Sequence, residues 1–202
     1  MARPSRKDQI LDAALACFAE LGYDATRIRH IADRAGVSES ALYRHYPSKD
    51  AVAQELYQQY FDLYAQRLRA IADAPGGAEE RLRAVVRTTL ALYRAHPAAF
   101  TFALLRLPSF LPALPAGTTY PMDVLTGIVH SGQRAGAVRN GQPNLLAAIF
   151  LGCMLRPIIV ATFAAPGALN LLGDDRHDAV IEEAALAALR RPAGRTRMRA
   201  TK

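Results

Sequence analysis

Nowhere in this chain does an alternation of apolar and polar residues persist, whereas apolar residues recur at three- and four-residue steps along nearly its whole length. A chain written with that period buries one stripe of a helix and cannot line the face of a sheet. Composition points the same way, because Ala and Leu far outnumber Val and Ile. The chain of 202 residues is long enough to bury a core as one large domain or two small ones. An all-α fold is expected.

Glycine, proline and capping residues cut the pattern into pieces. A first helix begins near Ser5, places Ile10, Ala14, Cys17, Phe18 and Leu21 on one face, and stops at Gly22. Thr26 reads as the N-cap of a short helix with Ile28, Ile31 and Ala32 inward, ending at Gly36. Ser38 caps a third with Ala41, Leu42 and Tyr46 inward, ended by Pro47, and Ser48 caps a fourth. Along that fourth helix Ala53, Tyr57, Tyr60, Tyr64, Leu68 and Ile71 form the stripe, up to the break "APGG" at 74–77. Longer helices follow at about 79–95, 97–106, 122–135, 144–165 with a kink at Pro157, and 174–190. The stretch "LPSFLPALPAGTTYP" is too rich in proline for regular helix. The organisation expected is a small head (1–50), a larger helical body (51–190) and a basic, disordered tail (191–202).

Charge and composition exclude several classes. The net charge is +7, but residues 1–50 carry 8 basic and 7 acidic groups, residues 51–189 carry 11 of each, and the last 13 residues carry 6 basic groups and no acidic one. The excess therefore sits in the tail, and net charge by itself does not argue for DNA binding by the head. Cys17 and Cys153 lie far apart in apolar helical patterns, which fits buried thiols in a reducing compartment and neither a disulfide framework nor a metal site. No basic stretch followed by an apolar one opens the sequence, so a cytoplasmic location is expected. The segment Leu145 to Ala165 approaches spanning length, yet it carries Arg156 and Pro157 and is the only such stretch. It is read as a helix buried between protein surfaces, with no membrane partner. No HExxH, GxSxG, phosphate loop or paired carboxylates occur, and the five histidines are scattered, so no enzyme, metal or cofactor is expected.

The run "HIADRAGVSESALYRHYPSKD" carries the chemistry. Two short helices joined by a tight glycine turn are the sequence form of a helix-turn-helix. Ala32 lets the two helices approach, Gly36 makes the turn, Val37 fills the gap, and Leu42 with Tyr46 anchors the second helix. Ser40, Tyr43 and Arg44 then face outward, flanked by Ser38, Glu39 and His45. Arginine pairs with guanine in a bidentate way, serine bonds any base edge, and tyrosine offers a ring to a thymine methyl or a hydroxyl to phosphate. Ser48 and Lys49, at the next helix start, suit a phosphate. Plainer roles stay open: Arg44 as a solvated charge, Glu39 as a complement to the helix dipole, His45 as cover for the helix end.

These residues resemble the TetR family of bacterial transcriptional regulators. The resemblance rests on "FAELGYDAT" and on Thr26, Ile28, Ile31, Ala32, Ala35, Gly36, Val37, Ser38, Leu42, Tyr43, Tyr46, Ser48 and Lys49 at fixed spacing, about a quarter of the chain. Tyr46 stands where the family usually has phenylalanine. The body matches less specifically, through helix lengths and "GQRAGAVR". The resemblance implies a homodimer whose recognition helices enter successive major grooves of a palindromic double-stranded operator, with a small-molecule pocket in the body, and a repressor more than an activator. By position it implies phosphate or anchoring contacts for Thr26, Ser38, Tyr43, His45 and Lys49, and base readout for Glu39, Ser40 and Arg44.

Within the body, Tyr64, Tyr93, Phe102, Arg106, Tyr120, His130, Met154 and Arg156 are the candidates for an effector pocket. Its aromatic and methionine character suits a small hydrophobic or aromatic ligand. Ile149, Cys153 and Val160 on one late helix and Ile181, Ala185, Ala188 and Leu189 on the last are the candidate dimer interface. The competing reading is a helical DNA-binding or interaction module with no small-molecule effector.

Overall fold

The computed structural model describes residues 5–110, 117–163, 172 and 175–191, and all the regular structure among them is helical. The chain begins at a reciprocal cap. The Ser5 hydroxyl accepts from the Asp8 amide at 3.1 Å, and the Asp8 carboxylate accepts from the Ser5 amide at 3.0 Å. The Ser5 hydroxyl also donates to the Asp8 carboxylate at 2.7 Å, and this bond, with the one from the Ser5 amide, holds the Asp8 carboxyl below its ordinary range. From this cap run α1 (Arg6–Leu21), α2 (Ile28–Ala35), α3 (Glu39–Tyr43), α4 (Lys49–Asp73), α5 (Ala78–Ala95), α6 (Pro97–Phe110), α7 (Pro121–Arg134), α8 (Pro143–Phe163) and α9 (Asp178–Leu189).

Two compact units share these helices, one made of 1–64 with 92–118 and the other of 65–91 with 119–202. A boundary after Asp50 is expected from the sequence, but α4 runs on without a break there, and α6 joins α1 in the first unit. In that unit Ile10, Ala14, Ile31, Leu42, Val52, Ala53 and Tyr57 are wholly excluded from solvent. Ile28, expected inward, is only half-buried.

The second unit is held by α7 on α8 and α8 on α9. Its tightest point is Gly132 on α7, where an added Cβ would lie 2.6 Å from Val138 Cγ2 and 2.8 Å from Ala78 Cβ. The turn that follows is tied down by side chain and backbone together. Gln133 Nε2 donates to the carbonyls of Arg139 (3.0 Å) and Gly141 (2.9 Å), and the Arg139 amide donates to Leu189 O at 2.8 Å. The "GQRAGAVR" stretch is thus the brace between the end of α7 and the end of α9.

Three sequence expectations are corrected. First, α6 continues through Pro108 to Phe110; residues 111–116 of the proline-rich stretch lie outside the described residues. Second, α8 is covered only in part by its own chain, so the expected burial between protein surfaces is not met by this chain alone. Its stretch Pro143–Ala161 is long and apolar enough to cross a membrane by length and composition, and 28% of its apolar window is buried. Third, the inward phase of α9 is Ile181, Ala185, Leu186 and Leu189, all buried within this chain, so three of its four expected dimer residues are spent on the chain's own core and Ala188 is half-buried. The outward positions are Val180, 67% exposed, with Ala184 and Ala187. On α8, Ile149 and Val160 are exposed as expected, Leu145 joins them, and Cys153 is half-buried. The basic tail beyond Arg191 lies outside the described residues.

Candidate nucleic-acid interface

The turn between α2 and α3 is set by one residue. Gly36 has φ 64° and ψ 38°, the left-handed region, and Val37 closes the turn by donating to Ala32 O at 3.0 Å. The Ser38 hydroxyl accepts from the Ala41 amide at 3.2 Å and so caps α3. It also lies 3.0 Å from the Ser40 hydroxyl, which fixes the two serines as a pair. Leu42 at 0% and Tyr46 at 3% exposure fasten the short helix to the core. Burial, and the nearby Glu55 carboxylate, push the Tyr46 phenol well above the ordinary range, so it stays neutral. Glu55 is itself paired with Lys7 at 2.7 Å.

With its inner side anchored, α3 presents Ser38, Glu39, Ser40, Tyr43, Arg44 and His45 to solvent, and the Tyr43 ring is 51% exposed. Glu39, Ser40 and Arg44 are the residues expected to read bases, and Ser38, Tyr43 and His45 are expected to make phosphate or anchoring contacts; all six lie on one exposed surface segment. Ser48 is half-buried and caps α4, accepting from the Ala51 amide at 3.1 Å.

Two expected phosphate contacts are modified by what surrounds them. Thr26 is 1% exposed, and its hydroxyl donates to Gly22 O at 2.7 Å with Cys17 O at 3.2 Å. It is a buried strut closing the end of α1, neither the N-cap of α2 nor a side chain offered to DNA. Arg27 occupies the cap position, where its amide donates to His30 Nδ1 at 3.2 Å. Lys49 is half-buried, and its ammonium donates to Tyr23 O at 2.8 Å and to Asp24 O at 3.5 Å while lying 4.4 Å from the centre of the Tyr23 ring. Tyr23 is thus a functional neighbour that periodicity does not reveal; its only sequence signal is its place in "GYDAT".

The expected effector residues do not converge in the same way. Tyr64 and Tyr93 meet the Phe100 ring edge-on, at 6.1 Å and 6.0 Å. Phe102 is spent elsewhere, stacked on Phe18 of α1 at 5.2 Å in the core of the first unit. In the second unit Tyr120 caps α7 and is half-buried, and Met154 is wholly buried. His130 and Arg156 are exposed, because they stand out of phase with Leu125, Ile128 and Val129 on α7 and with Met154 and Ile158 on α8. The Arg106 side chain lies outside the described residues. Among the described residues no group of three or more histidines, cysteines or carboxylates could hold a metal ion.

This geometry has a family counterpart. The profile described as "Bacterial regulatory proteins, tetR family" matches residues 10–56, the span from the core of α1 to the first turns of α4. That segment carries the N-terminal signature of the tetR family. Among TetR-family relatives, it is 36% identical over 94 residues to the HTH-type transcriptional repressor KstR2 of Mycobacterium tuberculosis, a match covering 46% of this chain and 47% of that one. It is 33% identical over 125 residues to the HTH-type transcriptional regulator RutR of Escherichia coli, covering 61% of this chain and 54% of that one. The chain therefore spans about half the length of the relatives that it matches in sequence. The fold is shared more widely: the structure of the ketosteroid transcriptional regulator KstR2 of Mycobacterium tuberculosis superposes with a TM-score of 0.73 over 95% of this chain and 98% of that one, at 23% identity.

Proposed function

We propose that this protein is a homodimeric transcriptional regulator, acting as a repressor, that binds a palindromic double-stranded operator and is released by a small hydrophobic or aromatic effector. The observation that carries the reading is the exposed face of α3, where Glu39, Ser40, Tyr43 and Arg44 are open to solvent while Leu42 and Tyr46 anchor the inner side. Among the relatives, KstR2 is a repressor by name, which favours repression here. The aromatic cluster of Tyr64, Tyr93 and Phe100 and the name of the ketosteroid regulator KstR2 support an apolar effector. Exposed Leu145, Ile149 and Val160 on α8, with Val180 on α9, favour self-association, since a lone chain would leave this apolar surface in water. The DNA-binding role supports a cytoplasmic location.

The test is to select duplexes from a random pool with the purified protein at moderate salt and sequence the enriched fraction. An inverted repeat is expected, with half-sites about one helical turn or a multiple of it apart. Enrichment of nothing, with only salt-sensitive binding to all duplexes, would overturn the operator reading.

A further inference from the structure

Lys49 is held from the inside. Two backbone carbonyls, Tyr23 O and Asp24 O, and the face of the Tyr23 ring occupy the inner side of its ammonium. An ammonium has three donors, so one remains for a phosphate on the half-exposed side. A free lysine would lose the rotamer freedom of its four-carbon stem on meeting DNA, whereas this one has already given much of it up. The quality of the anchor then depends on what holds Tyr23.

What holds Tyr23 is a chain of rings and one further bond. Its hydroxyl donates to the Asp50 carboxylate. Its ring lies 5.2 Å from that of Phe18 and 6.4 Å from that of Phe102. Phe102 in turn stacks on Phe18 at 5.2 Å with their planes 9° apart, both rings being buried. The base under Tyr23 is thus built partly from α1 and partly from α6, although α6 lies far from the helix-turn-helix in sequence.

We propose that Phe102 is a positioning residue for the phosphate anchor Lys49, acting through the Tyr23 ring. The inference rests on the reading that Lys49 touches a phosphate in the DNA complex. It separates Phe102 from any ligand role and gives α6 a direct effect on DNA affinity that bypasses α3. Removing the Phe102 ring lets the Tyr23 ring tilt away from the Lys49 ammonium, which leaves the two carbonyls to hold it without the ring face, and lowers its contribution to binding without altering base preference.

The experiment measures the salt dependence of binding to a short mixed-sequence duplex by fluorescence anisotropy, for the full chain and for Lys49→Gln, Tyr23→Leu, Tyr23→Phe, Phe102→Leu, Phe102→Met and the double variant Phe102→Leu with Lys49→Gln. Thermal unfolding of each is recorded alongside. Lys49→Gln should flatten the log–log salt slope by about 0.9 per subunit. Phe102→Leu and Tyr23→Leu should flatten it by a large part of that amount, Tyr23→Phe, which loses the bond to Asp50 but keeps the ring contacts, should flatten it less than Tyr23→Leu, and the double variant should be no flatter than Lys49→Gln alone. A lower melting temperature for Phe102→Leu with the parental slope intact would overturn the proposal and leave Phe102 as core packing. If Phe102→Leu does not fold, Phe102→Met, which keeps flexible apolar bulk without the ring, decides on the same slope. An unchanged slope for Lys49→Gln would overturn the phosphate reading of Lys49 itself, a result separate from any outcome at Phe102.

Discussion

Glu182 on α9 accepts from Arg83 on α5 at 2.6 Å, and its other carboxylate oxygen accepts from Arg87, one helical turn further along, at 2.8 Å. The hydrogen bond from Arg87, followed by that from Arg83, holds the Glu182 carboxyl below its ordinary range against the opposing effect of burial. A depressed carboxylate contributes stability that is present above its unfolded value and disappears as the pH falls through the folded one. Glu182→Gln should therefore lower stability near neutral pH by about 1–2 kcal/mol, the guanidinium groups being partly in water. The gap between variant and parent should close on acidification. Urea titrations at several pH values check this, and a gap that does not vary with pH would remove the clamp from the account.

Arg44 is exposed and stands at the end of α3, beyond its last helical residue. Arg44→Ala should cost about 1–3 kcal/mol on the best selected duplex and relax preference at one base position of each half-site. Repeating the selection with the variant reads this out. A uniform loss on every duplex would assign the guanidinium to the backbone alone.

Thr26 separates a structural hydroxyl from a DNA contact. Thr26→Val keeps the shape but leaves Gly22 O and Cys17 O without this donor, so stability should fall by about 1–2 kcal/mol. Affinity for DNA, measured well below the melting temperature, should stay at the parental value. Weaker binding at unchanged stability would return the hydroxyl to the phosphates.

Two glycines should fail for different reasons. At Gly36 an added Cβ meets nothing within 4 Å, so Gly36→Ala pays only for the left-handed backbone, roughly 1–2 kcal/mol. At Gly132 the same change drives a methyl into Val138 and Ala78, and about 1–3 kcal/mol is expected from overpacking. Val138→Ala should recover part of the Gly132→Ala loss, whereas no neighbouring truncation should rescue Gly36→Ala. Thermal melts of the single and double variants settle the comparison.

Ile149 and Val180 are 45% and 67% exposed on neighbouring helices of the second unit. Ile149→Glu with Val180→Glu should shift the sedimentation coefficient from dimer to monomer while leaving the helical circular dichroism signal unchanged. A monomeric parent would dismiss the proposed interface outright.

Much of the first unit was legible because its boundaries are local chemistry. Ser5, Gly22, Gly36, Ser38 and Ser48 each end or start a helix where capping physics puts them, and Leu42 with Tyr46 turns inward as the four-residue step requires. Thr26 misled because a threonine ahead of a helix has the chemistry of a cap, whereas here its hydroxyl turns back to the carbonyls of Cys17 and Gly22 at the end of α1. The phase of α9 was hidden for another reason: "DAVIEEAALAAL" is apolar on nearly every side, and period alone does not say which side meets α8. Phe102 shows the same limit, since an aromatic residue in an apolar helix packs equally well on several neighbours and its partner Phe18 is far away in sequence.

Glu39, Ser40, Tyr43 and Arg44 carry little of the packing that holds α3, a task left to Leu42 and Tyr46. The two duties are therefore separable under mutation. On the proposed reading, substitutions on the outer face can change which DNA sequence is preferred with little penalty to folding, so this head can drift toward new targets through variants that all remain folded. Lys49 is different: it braces the α1–α2 turn and is also the proposed phosphate anchor, so retuning overall affinity there disturbs the head as well. Evolution of this scaffold is free in target choice and constrained in grip.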